Sequence, residues 1–388
     1  MTQVYDVIVV GAGGMGSAAF YHLAKAGQRV LAIERFELGH SRGSSHGETR
    51  IIRKAYFEGA KYVPLVRTAY SLWHELSFAA GRPLIFRTGS LEMSEPGHNF
   101  VERSRASCVA HGLPYELLDT REVKRRFPAF HLASGTCAIF QPDGGYVLSE
   151  AAIAAHARLA VAAGGQLHTG ETVLDYRPTG HGGIEVRTDL ARYSCGQLVL
   201  TTGPWMSALV PALAGHLATF NQAIAWFTPK QPELFEPVHF PVFIHFGDHG
   251  EFYGFPAYGA SGVKVGGPHF GREAIDPDNP DRNPSPGQLA GLQGFLARTL
   301  PDLAGPPNRA TGCIYTKTPD EDFIIDQLPG TPQVLVVSPC SGHGYKFAPV
   351  IGEIITELVT KGQTRHDISP FAFKRFGVTA GDPTLTPC

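Results

Sequence analysis

The sequence predicts an α/β fold in which a domain of alternating strands and helices is interleaved with a second domain built on a mixed or antiparallel sheet. Length is the first observation, since 388 residues exceed what one hydrophobic core usually serves. Composition is the second, because 45 glycines and 30 prolines favour tight turns and strands over a helical bundle. The third is a strand, glycine turn, helix and strand pattern at the start of the chain, which is a β-α-β unit.

The elements of the first domain follow from the spacing of its apolar residues. Residues 5–10 form an apolar β-branched run, 11–16 a glycine turn, 17–27 an alanine-rich helical stretch and 29–33 a second strand that ends at Glu34. Further along, residues 149–164 are predicted as a helix, 197–201 and 334–337 as strands, and 350–359 as the last clear helix. We therefore assign residues 1–84, 147–218 and 310–388 to one discontinuous domain.

The second domain takes the remaining segments, residues 85–146 and 219–309, in which aromatic-rich strands alternate with turns. Residues 276–286 are rich in Pro, Asp and Asn and are predicted as a surface loop. The tail after Val378 is predicted to be poorly ordered.

Charge, hydropathy and cysteine spacing exclude several classes of protein. A formal net charge of -2 provides no basic surface for nucleic acid. No stretch reaches the roughly 18 apolar residues of a membrane span, and the apolar N-terminal run is interrupted by Asp6, so neither a membrane segment nor a signal peptide is expected. The 6 cysteines are scattered without a CxxC pair or zinc spacing, so we expect no disulfide framework, no metal site and a cytoplasmic location.

The glycine turn carries the first functional signal. Gly11, Gly13 and Gly16 follow a strand and open a helix, which is the context of a dinucleotide fingerprint. In that fingerprint the first glycine allows the tight turn, the second the approach of a pyrophosphate and the third close helix packing. Glu34 is placed to bind ribose hydroxyls and disfavours a 2′-phosphate. The fingerprint alone leaves FAD and NAD open.

Longer motifs favour FAD. Residues 198–205, with the sequence LVLTTGPW, resemble the second signature of glutathione-reductase-like flavoproteins. Three segments, 45–53 (SHGETRIIR), 311–326 (TGCIYTKTPDEDFIID) and 341–347 (SGHGYKF), resemble in order and spacing the monomeric sarcosine oxidase and N-methyltryptophan oxidase family of FAD-dependent amine oxidases. The resemblance covers residues 5 to about 371. It implies a glutathione-reductase-like FAD-binding domain and a substrate domain whose sheet covers the flavin.

The resemblance also implies which residues hold the cofactor. It implies a thioether between the Cys313 sulfur and the 8α-methyl group of the flavin ring, and we assign no role to the neighbouring Cys340. The other FAD contacts are expected from Gly11, Gly13, Met15, Gly16, Glu34, Arg35, Ser44, His46, Thr49, Arg50, Val173, Gly203, Trp205, Gly342, Gly344 and Lys346. Backbone N–H groups of the turn at 342–344 are suited to stabilise negative charge on the reduced flavin.

The residues that bind the substrate are expected to include cations. The carboxylate of an amino acid requires cations in an apolar pocket, and a guanidinium with an ammonium group meets that requirement. By resemblance, Arg53 and Lys346 are the carboxylate-binding pair, and Arg50 lies under the flavin ring. Arg50 and Arg53 would share one face if their segment were helical. The resemblance also places Tyr253, Tyr315, His343, Gly342 and Ile244 around the substrate, with Ile244 at a position that varies with substrate size.

Lys264 alternates out of an apolar strand and, from the residues alone, is a solvated strand lysine. The resemblance implies instead a catalytic lysine near flavin N5 that promotes the reduction of O2. The family places a histidine soon after this lysine, but in this chain His269 is displaced along the sequence, so we assign it no role.

These observations predict an FAD-dependent oxidase of a secondary-amine amino acid, with sarcosine preferred and H2O2 as the product of O2. Alternative substrates are N-methyltryptophan, pipecolate and a glycated amino acid, and an acceptor other than O2 stays open. Two other classes are also weighed, a flavin-containing binding or redox-sensing protein without turnover and a nicotinamide dehydrogenase. We expect a monomer with no nucleic-acid or membrane partner.

Overall fold

The computed structural model describes residues 3–268, 274–279 and 281–378. Its strands are β1 (Gln3–Val10), β2 (Val30–Glu34), β3 (Thr49–Ile52), β4 (Ile85–Arg87), β5 (Ser90–Ser94), β6 (Glu116–Leu118), β7 (Cys137–Gln141), β8 (Gly145–Leu148), β9 (Gln166–Thr169), β10 (Val173–Pro178), β11 (Ile184–Thr188), β12 (Arg192–Leu200), β13 (Ala218–Phe227), β14 (Val242–Gly247), β15 (Gly250–Ala257), β16 (Val263–Gly266), β17 (Arg309–Lys317), β18 (Ile324–Leu328) and β19 (Thr331–Ser338). Its helices are α1 (Gly14–Lys25), α2 (Val63–Ala80), α3 (Phe100–His111), α4 (Thr120–Arg126), α5 (Ser149–Ala162), α6 (Met206–Leu209), α7 (Pro286–Thr299) and α8 (Ala348–Lys361).

The first sheet is buried on both faces. Its strand order is β10-β11-β12-β1-β2-β9, with β19 joined to β12 and β18 to β19. β1 lies parallel to β2 and β12, so its alternate residues point to opposite faces. Val7 and Val9 pack in the core formed with helices α1, α5 and α8, whereas Ile8 and Val10 pack in a separate core on the other face. This arrangement directs the carboxyl ends of β1 and β2 toward one crevice.

The second sheet has the order β17-β13-β16-β15-β14-β5-β7-β6, and its neighbouring strands are antiparallel except for β5 and β14. One face packs on helix α7, where Phe252 of β15 stacks on Phe295 with ring centroids 4.1 Å apart. Because side chains alternate along a strand, Glu251, Tyr253 and Phe255 point to the opposite face. A small third sheet has the order β3-β8-β4.

The predicted α/β fold and the positions of its principal elements are confirmed, but three details differ. The segment containing Arg50 is strand β3, so the helical condition for Arg50 and Arg53 is not met. The limit predicted between residues 309 and 310 falls at the start of β17, which pairs with β13 of the second sheet. The limit between residues 146 and 147 falls within β8. Local sequence does not report which sheet a strand joins, and the division into two domains therefore stays a prediction.

The structure also bears on the predicted surface loop and on the predicted absence of membrane and metal-binding features. Residues 276–279 and 281–285 form no helix or strand, in agreement with the predicted loop, and α7 begins at Pro286. His269 and the tail from residue 379 lie outside the described residues. Within the described ranges, no helix is long and apolar enough to cross a membrane, and no group of His, Cys, Asp or Glu side chains is arranged to hold a metal ion.

Candidate active site

A cavity of about 460 Å³ extends from the glycine turn after β1 to the face of the second sheet. Most of the predicted site residues lie on its wall. They are Gly11, Gly13, Met15, Glu34, Arg35, Ser44, Thr49, Arg50, Arg53, Val173, Gly203, Trp205, Ile244, Tyr253, Cys313, Tyr315, Gly342, His343, Gly344 and Lys346. Three others, Gly16, His46 and Lys264, lie outside that wall.

The glycine turn has the geometry that a bound pyrophosphate requires. Gly11 has a φ of +88°, a conformation that residues with a Cβ rarely adopt. A Cβ on Gly16 would lie 1.7 Å from the Gly11 carbonyl oxygen, so Gly16 allows the close packing of α1. A Cβ on Gly13 would meet only the Ser45 Oγ atom, at 3.7 Å. The backbone at Gly13 is therefore open toward the cavity, whereas Gly16 acts from behind it.

Glu34 presents a buried carboxylate at the end of β2. Its Oε2 atom accepts a hydrogen bond from the Ala12 backbone N–H at 2.7 Å, and its Oε1 atom accepts one from Phe36 at 3.0 Å. Burial alone would raise the pKa of Glu34, but the bonds from His40, Ala12 and Phe36 lower it. The charged form is therefore favoured at the position where ribose hydroxyls would donate.

Arg35 and Trp205 close the nucleotide end of the cavity. Both donate to the same carboxylate oxygen of Asp278, Arg35 at 2.6 Å and the Trp205 indole N–H at 2.9 Å. The Arg35 guanidinium also lies 5.6 Å from the Trp205 ring. These contacts fix a planar aromatic surface beside the residues predicted to contact FAD.

Several features of this end fit a bound dinucleotide. Ser44 Oγ and His46 Nε2 are buried and have no hydrogen-bond partner among the described residues. Buried polar atoms of this kind normally have a partner, so they indicate a ligand or water. Burial lowers the pKa of His46 to about 4, which leaves its ring neutral and able to accept a hydrogen bond at one nitrogen and donate one from the other. Together with the uncovered Gly13 and the Glu34 carboxylate, they suit FAD.

Cys313 and Arg50 meet in the middle of the cavity. The Cys313 side chain is buried, and its sulfur lies 3.6 Å from Arg50 Nη2. Arg50 also donates to the backbone carbonyl groups of Ser44 at 2.8 Å and His46 at 2.6 Å, which fixes the segment before β3. Burial raises the pKa of the Cys313 thiol, and the charges of Arg50 and Lys264 oppose this rise. A cation next to a thiol stabilises the thiolate, which is the reactive form.

Lys264 is buried, which contradicts the reading of a solvated strand lysine that the residues alone suggested. Its Nζ donates to the carbonyl groups of Gly47 at 2.7 Å and Thr49 at 2.6 Å and lies 4.0 Å from the centre of the Phe255 ring. Burial lowers the pKa of Lys264 well below its ordinary value, with a further contribution from Arg50. The sequence did not reveal this burial because Glu48 and Gly47, with positive φ, carry the chain over the lysine.

Arg53 is an ion-paired residue in this structure. Its Nη2 atom donates to both carboxylate oxygens of Glu58, at 2.7 and 2.8 Å, and its Nε lies 3.6 Å from Glu92. Arg50 and Arg53 have different partners, since Arg50 contacts Cys313 and Arg53 contacts these two carboxylates. A substrate carboxylate would therefore join an existing charge cluster.

Lys346 lies at the same end of the cavity and is buried. Its Nζ donates to the His343 carbonyl at 2.7 Å and to the Tyr56 hydroxyl at 3.2 Å. Burial and the charge of Arg53 lower the pKa of Lys346 to about 7, although Glu58 and Glu92 oppose this. An anion that enters the cavity would raise this pKa and favour the ammonium form.

The second sheet supplies an aromatic wall. The hydroxyl groups of Tyr253 on β15 and Tyr315 on β17 lie 3.2 Å apart, and Ile244 stands directly opposite Tyr253 on β14. A Cβ on Gly342 would lie 2.8 Å from the Tyr315 ring, so the glycine lets the C-terminal turn approach this wall.

Three residues near Arg53 were missed. They are the buried Tyr56 and Glu92 and the partly buried Glu58. Two had a signal in the sequence: Glu58 follows Arg53 closely, and Glu92 is an acid inside the strand SLEMS. A buried acid in a strand requires partners. Ser104 donates a hydrogen bond to Glu92, and Arg53 Nε lies 3.6 Å from it as an ion-pair partner.

A Rossmann-type glycine turn that faces an antiparallel sheet across one cavity is an arrangement suited to flavin-dependent oxidoreductases. A profile of the family described as DAO, FAD dependent oxidoreductase, matches residues 6–358. The chain belongs to this family.

Individual relatives indicate which kind of FAD-dependent oxidoreductase this chain is. The chain is 37% identical over 380 residues to the monomeric sarcosine oxidase of Bacillus sp. strain NS-129, which covers 97% of this chain and 98% of the relative. It is 35% identical over 377 residues to the N-methyl-L-tryptophan oxidase of Salmonella arizonae, with 96% and 99% covered. The open form of NikD, an unusual amino acid oxidase essential for nikkomycin biosynthesis, superposes with a TM-score of 0.85 at 29% identity and covers 96% and 98% of the two chains. The chain is therefore an FAD-dependent amine oxidase.

Proposed function

We propose that this chain oxidises a secondary-amine amino acid, with sarcosine as the preferred substrate, FAD attached through Cys313 and O2 as the electron acceptor. The observation that carries the proposal is the presence of Arg53 and Lys346, two buried cations, on the wall of the cavity that also holds Cys313. Most of the relatives named above are oxidases of N-methylated amino acids, which supports the same substrate class.

The chain's own residues bind and orient the substrate. Lys346 and Arg53 hold the carboxylate, while Tyr253, Tyr315 and Ile244 exclude water from the carbon to be oxidised. When bound, FAD supplies the two-electron acceptor. The substrate loses two electrons and two protons and becomes an imine, which water hydrolyses to glycine and formaldehyde in the case of sarcosine. O2 takes up the two electrons and two protons as H2O2.

Cys313 would hold FAD through a thioether to the 8α-methyl group. This bond would replace the S–H bond of Cys313 and one C–H bond of the methyl group, and O2 would take up the two electrons and two protons. Arg50, 3.6 Å from the sulfur, favours the thiolate that forms the bond.

A larger substrate is the second candidate, because the wall changes character beyond the two tyrosines. Glu251, Lys317 and Glu321 line the cavity there. Burial raises the pKa of Glu251 to about 7, and the charge of Lys317 opposes that rise. Charged groups in this position favour a substrate whose side chain carries polar atoms over the bare methyl and methylene groups of sarcosine.

The test is the anaerobic loss of flavin absorbance on mixing with sarcosine, N-methyl-L-tryptophan, pipecolate, proline or a fructosyl amino acid. Rapid bleaching by sarcosine would support the preferred substrate, bleaching by a bulkier amine alone would replace it with the second candidate, and no bleaching by any of them would refute the proposed reaction. Peroxide formed per amine consumed tests O2 as the acceptor, and gel filtration tests the expected monomer.

The tether is tested separately. Cys313→Ala protein should release its flavin on denaturation, whereas Cys340→Ala protein, altered at a second thiol on the cavity wall, should retain it. Flavin fluorescence that stays with denatured Cys313→Ala protein would refute the assignment.

A further inference from the structure

Tyr56 occupies a central place beside the two cations of the cavity, although it is itself completely buried. Its hydroxyl lies 2.8 Å from His343 Nδ1 and 3.2 Å from Lys346 Nζ. The face of its ring lies 4.6 Å from the Arg53 guanidinium carbon. One tyrosine therefore contacts both members of the predicted carboxylate-binding pair.

The direction of each hydrogen bond follows from the partners. His343 Nε2 lies 3.1 Å from the Glu321 backbone carbonyl, which accepts hydrogen bonds only, so Nε2 carries the proton. Burial lowers the pKa of His343 to about 4, so the ring is neutral and Nδ1 accepts a hydrogen bond from the Tyr56 hydroxyl. The Tyr56 oxygen is then left with lone pairs for the Lys346 ammonium group.

These bonds leave a defined direction for substrate binding. The Lys346 ammonium carries three N–H groups, of which one donates to Tyr56 and one to the His343 carbonyl. For the remaining N–H, the described part of the chain shows no acceptor, which leaves it for a ligand in the cavity that Lys346 lines. Without the Tyr56 oxygen, the long lysine side chain would have one fixed contact and several rotamers.

Tyr56 is itself held on both sides. Its backbone N–H donates to Ser107 Oγ of helix α3 at 2.7 Å, and its ring packs on Phe347 with centroids 5.5 Å apart. Its position therefore does not depend on Lys346 or on a ligand.

We propose that Tyr56 is a positioning residue, which aims the Lys346 ammonium at the substrate carboxylate and holds Arg53 beside it. The proposal rests on the proposed function, since it takes Lys346 and Arg53 to bind that carboxylate. His343 takes part by fixing the direction of the Tyr56 hydroxyl.

The experiment compares wild-type holoenzyme with Tyr56→Phe, which keeps the ring against Arg53 and removes only the hydroxyl. The matched control is Tyr62→Phe, in which the altered ring packs against Tyr56. The Tyr62 hydroxyl donates to Asp322 and makes no contact with Lys346. Three quantities are measured: the Kd of acetate from the change in flavin absorbance and, for a substrate that bleaches the flavin, its Kd and its limiting rate of reduction.

We expect Tyr56→Phe to raise both Kd values about tenfold and to change the limiting rate less than about threefold, because the Lys346 ammonium loses the acceptor that fixes its direction before the carboxylate binds. The rise of Kd with pH should also begin at lower pH, since the ammonium form loses an acceptor. The other groups that face Lys346 are Arg53, Glu58, Glu92 and the His343 ring, and both variants retain them.

Acetate binding tests the role of Tyr56 independently of the proposed reaction. If no amine bleaches the flavin, the reaction fails, but the acetate measurement still tests Tyr56. The positioning role is overturned if Tyr56→Phe binds acetate as wild type does with the same pH dependence, if Tyr62→Phe weakens binding equally, or if acetate does not bind wild type. A Tyr56→Phe protein that fails to fold would also overturn it in favour of a structural role.

Discussion

Lys346→Met should make the protein more stable at neutral pH while removing its affinity for carboxylates. The pKa of Lys346 falls from 10.5 to about 7 in the folded protein. At about 1.4 kcal/mol per pH unit, keeping this lysine buried costs the folded state about 5 kcal/mol below pH 7. Methionine has a similar length without charge, but it loses the two hydrogen bonds to Tyr56 and the His343 carbonyl, each worth about 1 kcal/mol. The expected net gain is about 3 kcal/mol.

The stability difference between Lys346→Met and wild type should depend on pH. Between pH 7 and 10.5 the unfolded chain keeps the lysine proton that the folded chain has released, so the stability of wild type rises with pH over this window. The variant lacks this contribution, and its advantage should therefore shrink by about 3 kcal/mol between pH 7 and pH 9. Urea unfolding of both holoenzymes at pH 6.5 and pH 9 measures the difference. A variant that is less stable at pH 6.5, or an advantage that does not shrink at pH 9, would refute the reasoning.

Three other substitutions test residues that are predicted to act on the flavin. Gly13→Ala should fold normally, because its Cβ meets only Ser45 Oγ, but it should lose flavin content, whereas Gly16→Ala should lower the unfolding free energy by about 1–3 kcal/mol because its Cβ would collide with the Gly11 carbonyl. The ratio of flavin to protein absorbance measures flavin content, and urea unfolding measures stability. If Gly13→Ala and Gly16→Ala changed flavin content and stability to the same extent, the two glycines would not have separate roles. Lys264→Met should leave anaerobic flavin reduction by an amine within about threefold of wild type but slow reoxidation by O2 by roughly 100-fold. Stopped-flow measurement of the two half-reactions checks this, and unchanged reoxidation would remove Lys264 from the oxygen reaction.

The sequence predicts the dinucleotide end of the site because the reasons are local there. Gly11, Gly13 and Gly16 are required by the backbone of one turn, and Glu34 ends the strand that follows the helix, so all four residues lie within one short stretch of sequence. The aromatic wall is predictable in composition for the same reason, since Tyr253 and Phe255 alternate along one strand.

The charge cluster is less predictable because its members come from distant segments. Glu92 reaches Arg53 from β5, and His343 reaches Tyr56 from the turn before α8. The burial of Lys264 likewise depends on the loop at Gly47 and not on its own strand. The sequence therefore predicts that cations are present, whereas their partners depend on tertiary packing.

The position of β17 has a consequence for assembly of the holoenzyme. The glycine turn belongs to the first sheet, whereas Cys313 stands on a strand that pairs along its length with β13 of the second. A ligand bound at one end and bonded at the other would cross-link the two sheets in the way that a disulfide joins distant segments of a secreted protein. If FAD is attached through Cys313, the bond would form only after both sheets had folded around the same molecule, so attached flavin would mark the fully folded protein. Chains that lack the cross-link should unfold less cooperatively and be the first to be degraded in the cell.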